Sequence, residues 1–233
     1  MNFTMTPPFL YLASQSPRRQ QLLAQLGVSL QLLLPNVEGD ISEDAEALEQ
    51  VRPNEPPARY VQRVTAAKLN AAILRLHRRA GPTMPLAPIL CSDTTVALGR
   101  AIFGKPESPA DAVRMLSALS GQTHRVLTAV AVATPVLGPE GYPVESNASS
   151  MPQPNGWQIS RALSVSQVRF CPMSRAQIEA YVASGEPIGK SGAYAIQGRA
   201  AAWVSRLSGS YTGIMGLPLF EVAQLLRPLG FCD

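Results

Sequence analysis

Two arginines stand where a helix ought to repel them. In "LYLASQSPRRQQLLAQLG", residues 10–27, an apolar run ends at Ala13, Ser16 suits an N-cap and Pro17 the first helical position. Leu22, Leu23 and Leu26 then form an inward stripe, closed by Gly27. Arg18 and Arg19 fall in the first turn, at the positive end of the helix dipole, where each cation costs roughly 0.3–1 kcal/mol. That same end presents unpaired N–H groups to an anion, and two planar guanidinium forks suit phosphate oxygens. The alternative is that both side chains point into water.

Three further cations stand out by rarity. Of 20 basic residues only Lys68, Lys105 and Lys190 are lysine, so either they persist by chance in an arginine-rich composition or each has a task. Lys105 lies in Gly-Lys-Pro and Lys190 in Gly-Lys-Ser-Gly, where small residues let a ligand approach the backbone. Neither fits the phosphate-loop spacing GxxxxGK[ST]. Asp93 is the one carboxylate embedded in a strongly apolar run, "ILCSDTTVALG", and needs a cation or donors there. A hard divalent cation binds through one or two carboxylates plus substrate phosphates, so Asp93 and a partner from the acidic tract "VEGDISEDAEALEQ" (residues 37–50) would suffice. A cap or a buried salt bridge is the competing account of Asp93, and a solvated face that of the tract. His77 and His124 with Cys91, Cys171 and Cys232 show no metal-ligand spacing, and they read as structural groups and reduced thiols.

The elements that must carry these groups alternate between strand and helix. Leu10–Ala13 and Val28–Leu34 read as strands, and residues 57–80 as one helix with Tyr60, Val64, Ala67, Ala71 and Leu74 on its buried face and Lys68 at the margin. Arg75, Arg78 and Arg79 suit its C-terminal dipole. Residues 89–99 form a strand that turns at Gly99-Arg100, and Ser108 opens a helix that Gly121 ends. Residues 124–134 and 159–170 read as strands, with a proline- and glycine-rich mobile loop expected over 135–158. Ser174 and Gln177 form a capping box for a helix through Val182, and Pro218 can start the last helix.

A chain of 233 residues buries a sizeable core. No apolar run approaches the ~20 residues of a membrane span, and residues 1–8 lack the basic and apolar segments of a secretory signal, so no membrane partner and a cytoplasmic location are expected. The net charge of +4 fits an anionic ligand or plain solubility. Aromatic residues are not interleaved with basic clusters as nucleic-acid stacking requires, so no nucleic-acid partner is expected.

"LASQSPRRQQLLAQLGV", "SDTTVAL", "FGKPESPADAVRMLSALSGQTHRVLTAVAV" and "GKSGAYAIQGRAAAWVSRLSGSYTGIMGLPL" together resemble the Maf family of nucleotide pyrophosphatases. The resemblance implies one α/β domain over residues 1–233, two-lobed with a mixed β-sheet and a central cleft, related to the inosine-triphosphate pyrophosphatases, with residues 135–158 as an insertion. It implies hydrolysis of a nucleoside triphosphate between the α and β phosphates, with Mg²⁺ or Mn²⁺ as cofactor, by a homodimer. Carried over by motif, Ser14, Arg18, Arg19, Lys68 and Lys105 hold phosphates, Lys190 joins the substrate-binding set, and Asp93 is the catalytic acidic residue, as proton acceptor or metal ligand. "GAYAIQG" resembles the branch acting on dTTP and UTP, which places Arg19, Thr94 and Gln197 at specificity positions. The Gln197 amide, with one donor and one acceptor, can read the O4 and N3–H edge of thymine or uracil. The family's glutamate after the second strand falls in direct register on Gly39; Glu38 is the favoured metal-side carboxylate, with Asp40 beside it and Glu43 as a further option. Two rival functions stand beside this one: a pyrophosphatase for modified nucleotides, and a nucleotide sensor of cell division without turnover.

Overall fold

A computed structural model describes residues 9–37, 41–136 and 156–232 of the chain. Its seven described strands join one mixed sheet: β1 (Leu10–Leu12), β2 (Leu30–Leu32), β3 (Ile89–Leu98), β4 (Ala101–Phe103), β5 (Thr123–Pro135), β6 (Trp157–Phe170) and β7 (Val204–Ser208). The order is β2-β1-β3-β5-β6-β7, with β4 also on β3. β1 runs parallel to β2 and β3, and all other pairs are antiparallel. The helices are α1 (Pro17–Gln25), α2 (Ala45–Glu49), α3 (Pro57–Arg79), α4 (Pro109–Leu119), α5 (Arg175–Ala183), α6 (Tyr211–Met215) and α7 (Leu219–Leu226). The alternation of strands and helices expected from the sequence is a mixed α/β fold.

The strand pattern creates a gap. One edge of β3 is covered by β5 from Ile89 to Ala97. The opposite edge meets β1 only at Ile89 and Leu90, and β4 only from Val96 to Leu98. Among the described residues no strand therefore pairs with residues 91–95 on that edge, and Asp93 lies at the middle of the opening.

Side chains alternate across β3, as the period of two demands. Ile89, Cys91 and Ala97 face α3 among Leu69, Ile73, Val61 and Val64. Leu90 packs with α1 and α7 through Leu22, Leu23, Val222 and Leu226, while Val96 packs with α4 and α5 through Leu116, Ile178 and Tyr181. Asp93 belongs to the α3 face, and Ser92 and Thr94 to the other. The functional strand thus offers one acid to one side and two hydroxyls to the other.

Several expectations are corrected in detail. The second strand is Leu30–Leu32 rather than Val28–Leu34, because its only neighbour, β1, is three residues long. On α3 the buried stripe runs Val61, Val64, Thr65, Leu69, Ala72, Ile73 and Leu76, whereas Leu74 is 60% exposed. The straight i, i+3, i+4 reading from Tyr60 rotated the face by one position. β5 and β6 extend to Pro135 and Trp157, which pair with each other, so both ends of the expected 135–158 loop are strand. Residues 137–155 lie outside the described residues. The capping expectations hold at Ser108 and at the Ser174–Gln177 box. Ser16 is the N-cap of α1 by position, yet its side chain makes no cap bond. No helix among the described residues is long and apolar enough to cross a membrane.

Candidate active site

The gap in β3 opens into a pocket of about 850 Å³. Ser14, Arg18, Arg19, Lys68, Asp93, Thr94, Lys105, Lys190 and Gln197 all line it, so the tertiary fold gathers nine of the ten residues singled out above. The tenth, Glu38, lies outside the described residues, as does Asp40.

Its acidic centre is built by α3 and β3. Asp93 is buried to 8% exposure, and its Oδ1 accepts from Lys68 Nζ at 2.7 Å. Lys68 also donates to Glu49 Oε1 at 2.6 Å, and Lys105 reaches both oxygens of Glu49 at 3.2 Å. Two carboxylates and two ammonium groups thus alternate. Burial pulls the Lys68 ammonium's pKa down, but Asp93 and Glu49 beside it outweigh that and leave it above the ordinary lysine value. Glu49 is the mirror case: burial raises its carboxyl, and Lys68 and Lys105 together bring it below the ordinary value. The nearby Tyr60 hydroxyl is pushed up to about 12 by burial and the two negative charges.

Sequence reasoning missed Glu49. It stands at the C-terminal end of α2, one of six carboxylates in the acidic tract that no short window of sequence tells apart. Glu43, the further option named above, also borders the pocket but is paired there: its two oxygens accept from Arg75, one of them at 2.8 Å from Nε, and Arg78 adds a contact at 3.3 Å. Arg75 is itself corrected. Expected only to serve the C-terminal dipole of the helix, it is 4% exposed and also donates to the Leu33 carbonyl at 2.6 Å. A buried guanidinium needs such partners, and the acidic tract folds over α3 to supply them.

The opposite wall is basic. Arg19 spreads across protein oxygens: Nε to the Gly216 carbonyl at 2.8 Å, Nη1 to Ser14 Oγ at 3.2 Å and Nη2 to Thr94 Oγ1 at 3.3 Å. Thr94 thereby sits in a donor chain, since its hydroxyl lies 3.0 Å from Thr128 Oγ1, which donates to the Gly213 carbonyl at 2.7 Å. A guanidinium has five N–H donors, so Arg19 keeps some for a ligand. Arg18 pairs with no carboxylate among the described residues. Burial, and then Arg19 beside it, hold its pKa below the ordinary arginine value. This answers the question of two cations at one helix end: one arginine braces the corner, and the other is left to meet an anion.

Lys190 reaches the same wall from a turn. Gly192, at φ +71°, packs so closely on Val96 that a Cβ would stand 2.8 Å from it. Its N–H donates to the Gly104 carbonyl at 2.9 Å, and Ser191 Oγ donates to the Thr94 carbonyl on the open edge of β3 at 2.9 Å. The two glycine-flanked lysines therefore sit on turns bonded to one another. Lys190 donates to the carbonyls of Glu186 and Ile188, and its pKa is lowered by burial and by Arg18. Gln197 stands exposed at the rim.

His124 and Cys91 lie outside the pocket lining. His124 is buried, bonded to the Tyr194 hydroxyl at 2.8 Å, and burial lowers its pKa to about 4. Cys91 is buried and pushed up to about 11, chiefly by burial, which leaves it an inert thiol.

Comparison with known proteins agrees over nearly the whole chain. A family model described as Maf-like protein matches residues 9–229. A protein of Albidiferax ferrireducens named dTTP/UTP pyrophosphatase is 58% identical over 223 residues, covering 96% of this chain and 98% of its own. Proteins of the same name from Cupriavidus pinatubonensis and Polaromonas sp. are 57% and 55% identical, each covering 96% of its own length, over 94% and 95% of this chain.

Proposed function

The chain belongs to the Maf family, and from that premise we propose that the pocket hydrolyses dTTP and UTP between the α and β phosphates, giving the monophosphate and pyrophosphate. The observation that carries this reading is the opposition within one pocket of a carboxylate pair on a shared lysine and a cationic corner without an acidic partner among the described residues. A triphosphate matches both walls chemically: its anionic tail meets Arg18, Arg19 and Lys190, and its reacting end meets Asp93.

The division of labour follows from the geometry. Arg18 and the remaining donors of Arg19 neutralise phosphate oxygens, with Ser14 Oγ holding the Arg19 fork in place. Lys68 and Lys105, paired with Glu49 before substrate arrives, exchange that carboxylate for phosphate. Asp93 then accepts the proton of the attacking water, and Lys68 holds its carboxylate in place through the 2.7 Å contact. Charge stabilisation of the transferring phosphorus is the main catalytic contribution, and no nucleophilic serine, cysteine or histidine is used.

The residues also fit a divalent cation. Asp93 and Glu49 are hard oxygen donors that converge on one cation, Lys68 Nζ. No group of three or more His, Cys, Asp or Glu suited to a metal occurs among the described residues, so such an ion would be shared with substrate phosphates, as Mg²⁺ commonly is. Asp93 and Glu49 would hold it; when bound it supplies Lewis-acid polarisation of the phosphate oxygens.

Gln197, at the rim, reads the pyrimidine edge with its amide, alongside Thr94 and Arg19. The two ends of the sheet, with their separate cores around α4–α5 and around α1–α7, are taken as the two lobes and the pocket as the cleft between them. The chain works as one domain, as a homodimer, in the cytoplasm. The test is product analysis: protein with Mg²⁺ or Mn²⁺ and a panel of canonical and base-modified nucleotides, with Asp93→Asn as control. Pyrophosphate from dTTP and UTP is expected; inorganic phosphate with a diphosphate product, or no product from any nucleotide, overturns the reading.

A further inference from the structure

Glu49 sits on a helix that cannot hold itself. α2 has five residues, far below the length at which an isolated helix persists, and the carbonyls at its C-terminal end lack intrahelical donors. Side chains of α3 fill that need at three consecutive positions. Arg63 Nη1 donates to the Leu48 carbonyl at 3.3 Å, the Tyr60 hydroxyl to the Glu49 carbonyl at 2.9 Å, and Arg63 Nη2 to the Gln50 carbonyl at 2.8 Å. The guanidinium is fixed in turn. Its Nε and Nη2 form a fork with the Glu55 carboxylate at 2.6 and 2.8 Å, and it lies over the Tyr60 ring at 5.6 Å. Hydrogen bonds from Arg63, against the opposing effect of burial, hold the Glu55 carboxyl down at about 2.

We propose that Arg63, locked by Glu55 and supported by Tyr60, is the positioning residue that fixes the backbone around Glu49 and so keeps its carboxylate in the pocket after Lys68 and Lys105 release it. The proposal rests on the reading of Glu49 as a working carboxylate. It goes beyond that reading because neither Arg63 nor Glu55 lines the pocket. The two lysines cannot do this task throughout turnover, since they pair with Glu49 only until phosphate claims them. Arg63 bonds backbone carbonyls instead, which substrate does not compete for. A planar fork reaching two carbonyls and a carboxylate at once is beyond an ammonium group.

The experiment compares Arg63→Ala, Arg63→Lys, Glu49→Gln and the Arg63→Ala/Glu49→Gln pair, with kcat, KM and the thermal midpoint measured for each. Arg63→Ala is expected to lower kcat roughly 10- to 100-fold, as loss of a supporting contact does. KM for dTTP should stay within about threefold of the parent value. Arg63→Lys should fail to restore the rate, and Arg63→Ala should add less than about twofold on the Glu49→Gln background, because residues acting as a unit are not additive. Full rescue by lysine, or a loss that multiplies with that of Glu49→Gln, overturns the proposal. A lowered midpoint with unchanged kcat does so too. Should Arg63→Ala not fold, Glu55→Gln, which keeps the guanidinium and loosens its fork, must show a smaller loss confined to kcat; unchanged kcat there is equally fatal. Glu49→Gln at the parent rate would instead sink the reading of Glu49 itself, a separate outcome.

Discussion

The two walls of the pocket handle charge in opposite ways. At the acidic centre each charge is answered: Lys68 between Asp93 and Glu49, and Lys105 on Glu49. At the basic corner burial and Arg19 lower the pKa of Arg18, burial and Arg18 lower that of Lys190, and no carboxylate forms an ion pair with either among the described residues. The first arrangement stabilises the empty protein and must open to work. The second strains it slightly and is relieved by an anion. A site that has to grip a polyanion and then let it go gains from both, because binding energy is drawn from relief of repulsion at one wall while the other wall trades partners.

The contrast is broken most severely by Asp93→Asn. Steady-state assays should show kcat lower by on the order of 10³-fold, the scale of a lost general base. The thermal midpoint should change far less, since Lys68 retains Glu49; a parent-like kcat would remove Asp93 from the chemistry. Next comes the basic wall: Arg18→Ala should raise KM roughly 10- to 100-fold, the value of a charged hydrogen bond, while leaving the midpoint of the free protein unchanged or higher. Arg19→Ala, which severs bonds to Gly216, Ser14 and Thr94, should lower that midpoint, and equal behaviour of the two arginines would erase the distinction drawn between them.

Smaller effects sharpen the comparison. Gln197→Glu keeps an acceptor and loses the amide donors, so kcat/KM for dTTP should fall roughly 10-fold relative to purine nucleotides in a competition assay. An unchanged preference would place base recognition elsewhere. The pH dependence should separate the walls by sign. Lys68 has its folded pKa above the ordinary 10.5, so its contribution to stability is complete below that value and is lost as pH rises through the folded one. Glu49, depressed below 4.5, contributes above that value and loses its share as pH falls through its folded pKa. Lys190, depressed below 10.5, opposes folding while charged, and that penalty fades as pH rises through its folded pKa. NMR titration of the three lysine ammonium groups should therefore find Lys190 releasing its proton before Lys68; the reverse order would contradict the contrast.

Much of this site was legible in local grammar. The Ser-Pro-Arg-Arg corner, the aspartate inside an apolar strand and the two glycine-flanked lysines are anomalies that short windows expose, since each violates what its own element prefers. Glu49 was not legible, because one of six carboxylates in a tract looks like any other until α3 supplies the lysine beside it. Arg75 was misread for the same reason: at a helix end it resembles a dipole partner, and only the chain folding over it brings Leu33 and Glu43 within reach. Nor does any window show that Arg19 is spent on Gly216, about two hundred residues away along the chain.

By itself the sequence determined most of the strands and helices and which residue types are out of place, because periodicity, capping and turn chemistry act over a few residues; the short α2 and α6 carry too little of these signals. Which of those residues face one another was decided only by the sheet, where β1 and β4 stop short of each other along β3 and leave Asp93 at an open edge. Pairing energies fall off within a few ångströms, so the choice between a solvated charge and a working one is made by through-space neighbours that sequence distance does not encode.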